Sequence, residues 1–273
     1  IEQNGGQGAE QFPEGSPFRD FFERFNRQNP NGNNQRQEQP PREARSLGSG
    51  FFISADGFIV TNDHVIDKAD EITVTLVSGE TYEAKLIGTD PASDIALIKI
   101  EVEEDLIFVD FGDSDKIRVG DWVMAIGNPF GLGGSVTAGI VSARHRNINA
   151  GQYDDFIQTD ASINKGNSGG PMFDMDGAVI GVNTMIFSPT GGNIGIGFSI
   201  PSRDVSRVVG QLKEHGETKR SRIGVTIRGI DEETAESLGI ENTEGAIVND
   251  VVPGGPADKA GVIPYDIILS FDG

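Results

Sequence analysis

The chain has no cysteine among its 273 residues. Disulfides, thiol nucleophiles and Cys-ligated zinc are excluded together, and such a chain suits oxidising and reducing surroundings alike. No apolar run approaches the roughly 18 residues that a membrane-crossing helix needs. No signal peptide is visible at Ile1, so any targeting segment is expected to have been removed. Basic residues are scarce: 22 Lys+Arg stand against 42 Asp+Glu, a net charge of −20. That argues against a nucleic-acid partner, whose phosphates need a basic surface. No Gly-Lys pair occurs, so there is no P-loop, and H-E-x-x-H zinc sites and dense His/Asp/Glu clusters are missing. "GLGG" and "GGNIGIG" are glycine-rich, but neither opens a helix as a dinucleotide-binding turn does. What survives is nucleophilic catalysis by a hydroxyl, which requires a base and a group to orient that base.

Residues 1–46 read as a flexible N-terminal segment outside the core. "NGGQG" and "NPNGNNQRQEQPPREARS" bury too little to order themselves. Between them Phe18, Phe21, Phe22 and Phe25 follow helical spacing, either a short helix resting on its own domain or a plug that docks elsewhere. From residue 47 the texture becomes short β-branched and aromatic runs broken by Asp-Gly, Ser-Gly and Asn-Pro turns, as in a β-barrel or sandwich. "SRDVSRVVGQLKEHG" has apolar residues at Val205, Val208, Val209 and Leu212, helical spacing, with Gly216 as its stop. It closes a unit over 47–216. Residues 217–273 read as a second module with strand, helix, strand, short helix and strand, short for an independent α+β domain.

The chemistry centres on "NKGNSGGPMFD". Ser168 needs a base to take its proton. The oxyanion that forms needs donors already in place, and the Gly166 and Ser168 amides are the candidates. Of the three histidines, His145 sits among arginines and His215 at a helix end, where a cation suits the dipole. His64 follows a strand-like run in "FIVTNDHVID". Asp94 heads the apolar strand of "DPASDIALIKI", and a half-buried carboxylate there would seek an imidazole N–H. Asp90 competes for that place, but its Asp-Pro context reads as a turn.

His64, Asp94 and Ser168 in that order resemble the trypsin-like serine proteases. "VTNDHVI", "DPASDIALIKI", "DSDKIRVGDWVMAIGNPFGLGGSVTAGIVSA", "FIQTDASINKGNSGGPMFD" and "GGNIGIGFSIP" narrow the resemblance to the HtrA family, near its DegP/DegQ-like envelope proteases and their MucD branch. The fold this implies is mainly β: a trypsin-like double β-barrel protease domain followed by a truncated PDZ α+β domain. The resemblance makes His64, Asp94 and Ser168 the triad and Gly166, Asn167 and Ser168 the oxyanion loop. Residues 163–168 become an activation loop that ligand would order, and residues 10–46 a long regulatory loop. Asn183, Thr184, Met185 and Ile186 correspond to the segment that pairs with substrate beside a modest apolar pocket. Arg222, Ile223, Gly224, Val225 and Thr226 correspond to the PDZ carboxylate-binding loop.

Two departures carry expectations. The family has a strand ahead of the long loop, so the first barrel is expected to lack one here. Tyr265 stands where such PDZ loops place glycine, and would carry strain at positive φ. The resemblance implies an ATP-independent serine endoprotease, without metal or cofactor, that degrades misfolded or damaged envelope proteins in the periplasm. Its partners would be unfolded polypeptides, peptide C-termini at the PDZ domain, and copies of itself in a homo-trimer or an assembly of trimers. Two competitors from other classes are a holdase chaperone whose cleft binds without cleaving, and a peptide-sensing scaffold acting through residues 217–273.

Overall fold

The structure, a computed structural model, describes residues 2–3 and 46–270, apart from 132, 149–150, 152, 189–191, 241–242 and 244. The phenylalanine stripe at 18–25 lies outside the described residues. The chain forms two compact units, residues 1–218 and 219–273.

The first unit is built on strand β7 (Ile95–Lys99), whose apolar run is buried on both faces. Ile95 and Leu97 point into one core, and Ala96 and Ile98 into another. β7 sits in a four-stranded antiparallel sheet with β2 (Phe51–Phe52), β3 (Phe58–Thr61) and β6 (Lys85–Asp90), in the order β2-β3-β7-β6. The short helix α1 (Asp63–Ile66) drops Val65 and Ile66 into the second of those cores, beside Ile72 and Val74 of β4 (Ile72–Thr75). β4 pairs with β5 (Thr81–Glu83) and, on its other side, with β1 (Glu2–Gln3). Glu2 and Gln3 thus supply a strand where none was expected. An edge strand needs only backbone groups, so a polar pair gives no sign of it.

A closed barrel follows, in the order β10-β13-β12-β11-β8-β9. Its strands are β8 (Trp122–Gly127), β9 (Ser135–Arg146), β10 (Phe156–Thr159), β11 (Pro171–Phe173), β12 (Val179–Ile186) and β13 (Gly197–Pro201). The twelve-residue β9 pairs with β8 and then bends through bulges to pair with β10, which closes the cylinder. Helix α2 (Ser202–His215) lays Val205, Val208, Val209 and Leu212 into the core shared with β7, β12 and β13. It ends as the sequence predicts: Gly216 takes φ 75° and its amide bonds Leu212 O.

The second unit is one antiparallel sheet, β14 (Val225–Gly229), β15 (Ala246–Val251) and β16 (Ile267–Ile268), with helices α3 (Glu232–Leu238) and α4 (Pro256–Lys259). Its core is small: Ile230, Ala235 and Ile247, with Ile240 and Ile267 against them. Tyr265 does take φ 74°, as its place in the turn predicts, with its side chain 74% exposed. A left-handed L-residue costs roughly 1–2 kcal/mol, and glycine gives back part of that relief as chain entropy. Tyr265→Gly should therefore stabilise this unit by about 0.5–1 kcal/mol, read by denaturant melts of the two proteins; a destabilised variant would show that Tyr265 makes a compensating contact.

Candidate active site

Asp94 is the last residue of the turn that leads into β7. Its carboxylate is met by three donors. His64 Nδ1 lies 2.7 Å from Oδ2 and 2.9 Å from Oδ1, the His64 amide donates to Oδ1 at 3.0 Å, and Thr184 Oγ1 donates to Oδ2 at 2.5 Å. The Asp94 carbonyl accepts from Asn62 Nδ2 at 2.8 Å. Asp94 itself is left-handed, φ 56°, a conformation that Asp tolerates better than most residues. His64 sits on α1, one residue after Asp63, and is nearly buried. Burial opposes charge on its ring, but the Asp94 carboxylate, its hydrogen bond and the Asp63 charge outweigh that, so its pKa is raised.

Ser168 belongs to the loop between β10 and β11. Its Oγ donates to Thr184 O at 3.1 Å. Thr184 therefore touches both ends of the site, Asp94 through its hydroxyl and Ser168 through its carbonyl. A bulge allows this: the β12–β13 register shifts between Asn183 and Met185, so Thr184 falls out of the ladder.

The oxyanion loop is tied down from two sides. Ser49 donates its amide to Ser168 O at 2.8 Å and its Oγ to Gly166 O at 2.6 Å, while that Oγ accepts from the Asn128 amide at 2.9 Å. Asn193 Nδ2 donates to Ile163 O at 3.0 Å, and the Asn193 amide to Asn164 Oδ1 at 3.2 Å. The Asn167 amide is used inside the loop, donating to Asn164 O at 3.0 Å. The Gly166 and Ser168 amides have no acceptor among the described residues. Of the three amides expected to receive an oxyanion, Asn167 is thus occupied and the other two are open. The glycines after Ser168 answer a packing demand. A Cβ on Gly169, at φ 86°, would collide with Ser49 O and Thr61 Oγ1, and one on Gly170 with Ile126 O.

The substrate segment departs from its expected role in one respect. Asn183 and Thr184 are fully buried and Met185 lies in the core, so their side chains are not offered to a substrate. Asn183 Nδ2 donates to Pro171 O and its Oδ1 accepts from Ser199 Oγ. What remains available is backbone: past Gly170, the β12 edge facing away from β13 has no strand partner among the described residues. In the second unit the Ile223 and Gly224 amides likewise have no acceptor among the described residues, Gly224 holds φ 82°, and β14 is a sheet edge. Sequence reasoning missed Ser49, Asn193 and the Thr184 hydroxyl; the glycines around Asn193 were the one local hint.

A His64–Asp94 pair linked through Thr184 to Ser168, in a first unit that holds a closed β-barrel, and a second small α+β unit with an open edge are features of a trypsin-like peptidase domain and a PDZ domain. Family models agree: a "Trypsin-like peptidase domain" matches residues 48–182 and a "PDZ domain" residues 211–273. Relatives called "Probable periplasmic serine endoprotease DegP-like" from Bartonella henselae and Rickettsia conorii are 50% and 51% identical over 97% of this chain, matching 53% and 52% of their own length. The chain spans about half the length of these curated relatives. Two similar solved structures are "HtrA-type protease AlgW with tripeptide", at 47% identity and TM-score 0.76 over 84% of this chain and 76% of that one, and the serine endoprotease from Yersinia pestis, at 38% and 0.61 over 80% and 71%. The chain belongs to the HtrA family of serine proteases.

One carboxylate beside His64 was not foreseen. Burial, with the charges of Asp94 and Asp67, raises the Asp63 pKa to about 7. An unfolded Asp loses its proton near pH 4, so between there and about pH 7 the folded state holds the extra proton and stability falls as pH rises. Asp63→Asn should match the parent at about pH 4 and be more stable by about 4 kcal/mol at about pH 8. Parallel denaturant melts across that range check this, and a constant difference would contradict it.

Proposed function

We propose that the chain is an ATP-independent serine endoprotease that cleaves misfolded or damaged polypeptides in the bacterial periplasm. The observation that carries this reading is Thr184, which holds Asp94 and Ser168 on one residue while Asp94 holds His64. His64 Nδ1–H donates to Asp94, which leaves Nε2 as the base. The Ser168 hydroxyl turns from Thr184 O towards His64, loses its proton there and attacks the peptide carbonyl. The Gly166 and Ser168 amides receive the oxyanion, and the His64 imidazolium, steadied by Asp94, protonates the leaving amine. Water then repeats the sequence on the acyl-enzyme.

The open β12 edge at Met185 and Ile186 favours an extended substrate that adds as a strand, with an apolar primary residue near half-buried Ile186. An unfolded chain meets that demand and a folded one does not. Open amides at Ile223 and Gly224 beside the β14 edge suit a peptide C-terminus, and the AlgW relatives were solved with a tripeptide and with a decapeptide. Association with further copies, a homo-trimer or an assembly of trimers in this reading, would cover exposed Trp122 and Val136, each paired across β8 and β9 with a half-buried isoleucine, Ile140 and Ile126. The periplasmic names of the relatives support that compartment. The holdase reading finds less support, because a cleft that only binds has no need of an oriented His–Asp pair.

Casein turnover tests the proposal. Ser168→Ala and His64→Ala should each lose several orders of magnitude in kcat, and Asp94→Asn roughly 10⁴-fold with the fold intact. The raised His64 pKa places the acid limb of kcat/KM above the ordinary imidazole value, because a protonated ring cannot accept from Ser168. Equal cleavage by the parent and Ser168→Ala would refute the assignment.

A further inference from the structure

A second carboxylate, Asp90, is buried next to the triad and takes no part in it; only 2% of its surface is exposed. It ends β6, and its pairing with Ile95 leaves residues 91–94 as the connection to β7. Ser93 returns twice to Asp90. Its amide donates to the Asp90 carbonyl at 3.2 Å, and its hydroxyl donates to Oδ2. The next residue is Asp94, in the left-handed conformation that L-residues resist. The other Asp90 oxygen, Oδ1, accepts from Thr218 Oγ1 at 3.0 Å. Thr218 is half-buried, whereas residues 213–217 and 219–220 are exposed. The chain leaving α2 also runs hard against β6: a Cβ on Gly88 would collide with the Gly216 carbonyl.

Resting on the triad reading above, we propose that Asp90 is a positioning residue for that triad. Its carboxylate, braced by Thr218, grips Ser93 and fixes the left-handed turn that aims Asp94 at His64. The requirement is geometric. Asp94 must meet the His64 amide, the His64 ring and the Thr184 hydroxyl at once. A small rotation of the turn spoils all three. Asp90 also spans a long stretch of sequence, because Thr218 is the last residue of the first unit, 128 positions away. The start of the connection to the second unit is thereby fastened to the turn that carries the catalytic aspartate.

Casein cleavage by the full chain tests this with variants that each remove one hydroxyl. Ser93→Ala should lower kcat about 10- to 100-fold with little change in KM. It should also move the acid limb of kcat/KM down by about half a pH unit, because His64 loses a well-placed Asp94 and keeps only Asp63 as a neighbouring carboxylate. Thr218→Val should change both in the same directions by less, and Ser93→Thr and Thr218→Ser should restore both. A folded Ser93→Ala protein with the parent kcat and limb would overturn the proposal. So would a lowered kcat with the limb unmoved, which reports fewer active molecules instead of a displaced Asp94. Thr218→Val at parent values would overturn the brace assigned to Thr218. Ser168→Ala, run alongside, separates the two readings. If it cleaves like the parent, the triad reading fails and this one with it; if it is inactive while Ser93→Ala matches the parent, only the role of Asp90 fails.

Discussion

The carboxylate of Asp94 has little access to water, and everything at the site follows from how its charge is met. A buried carboxylate without partners costs several kcal/mol. Here the His64 ring, the His64 amide and the Thr184 hydroxyl meet it together. The strand it leads into is buried on both faces, so Asp94 cannot retreat towards solvent without pulling β7 from two cores. The helix that carries His64, the bulge that carries Thr184 and the turn that carries Asp94 are therefore one mechanical unit. Its consequence is a histidine whose Nδ1 is fixed by the Asp94 carboxylate.

Ser168 is held by the rest of the fold in a complementary way. Ser49 belongs to the chain entering the first sheet, yet it clamps Gly166 O and Ser168 O on the loop that enters β11. Asn193 braces the same loop from the connection between β12 and β13. With carbonyls on one side engaged, the amides of Gly166 and Ser168 are left open. The small residues around Ser168 serve this arrangement mainly by letting neighbouring backbone approach, since Gly169 and Gly170 stand where Ser49 O and Ile126 O leave no room for a Cβ.

Much of this was legible in the residues. The short β-branched runs became the strands of a mainly β fold, the spacing of Val205, Val208, Val209 and Leu212 became the buried stripe of α2, and Gly216 stopped it. His64 and Asp94 came together as their local contexts implied, and Tyr265 took its strained turn. What stayed hidden were polar contacts between residues far apart in sequence. The Thr184–Asp94 and Ser49–Gly166 bonds span 90 and 117 positions, and nothing local distinguishes these hydroxyls from ordinary surface ones. The burial of Asp90 stayed hidden for a related reason. Asp-Pro does begin a turn, with Pro91 and Ala92 exposed, but only the packing of the α2 exit shows that the Asp90 carboxylate beneath it is buried. The segment expected to pair with substrate lies on β12, but the side chains of Asn183, Thr184 and Met185 are needed by the interior.

The central claim is that Ser168 is a nucleophile activated by His64 on Asp94. The most direct measurement is reaction with a fluorophosphonate probe, with the modified residue mapped by mass spectrometry in the parent, His64→Ala and Asp94→Asn proteins. The account predicts one modified residue, Ser168, in the parent and a labelling rate that collapses in both variants. Modification of another serine, or labelling of Ser168 at an undiminished rate without His64, would contradict it.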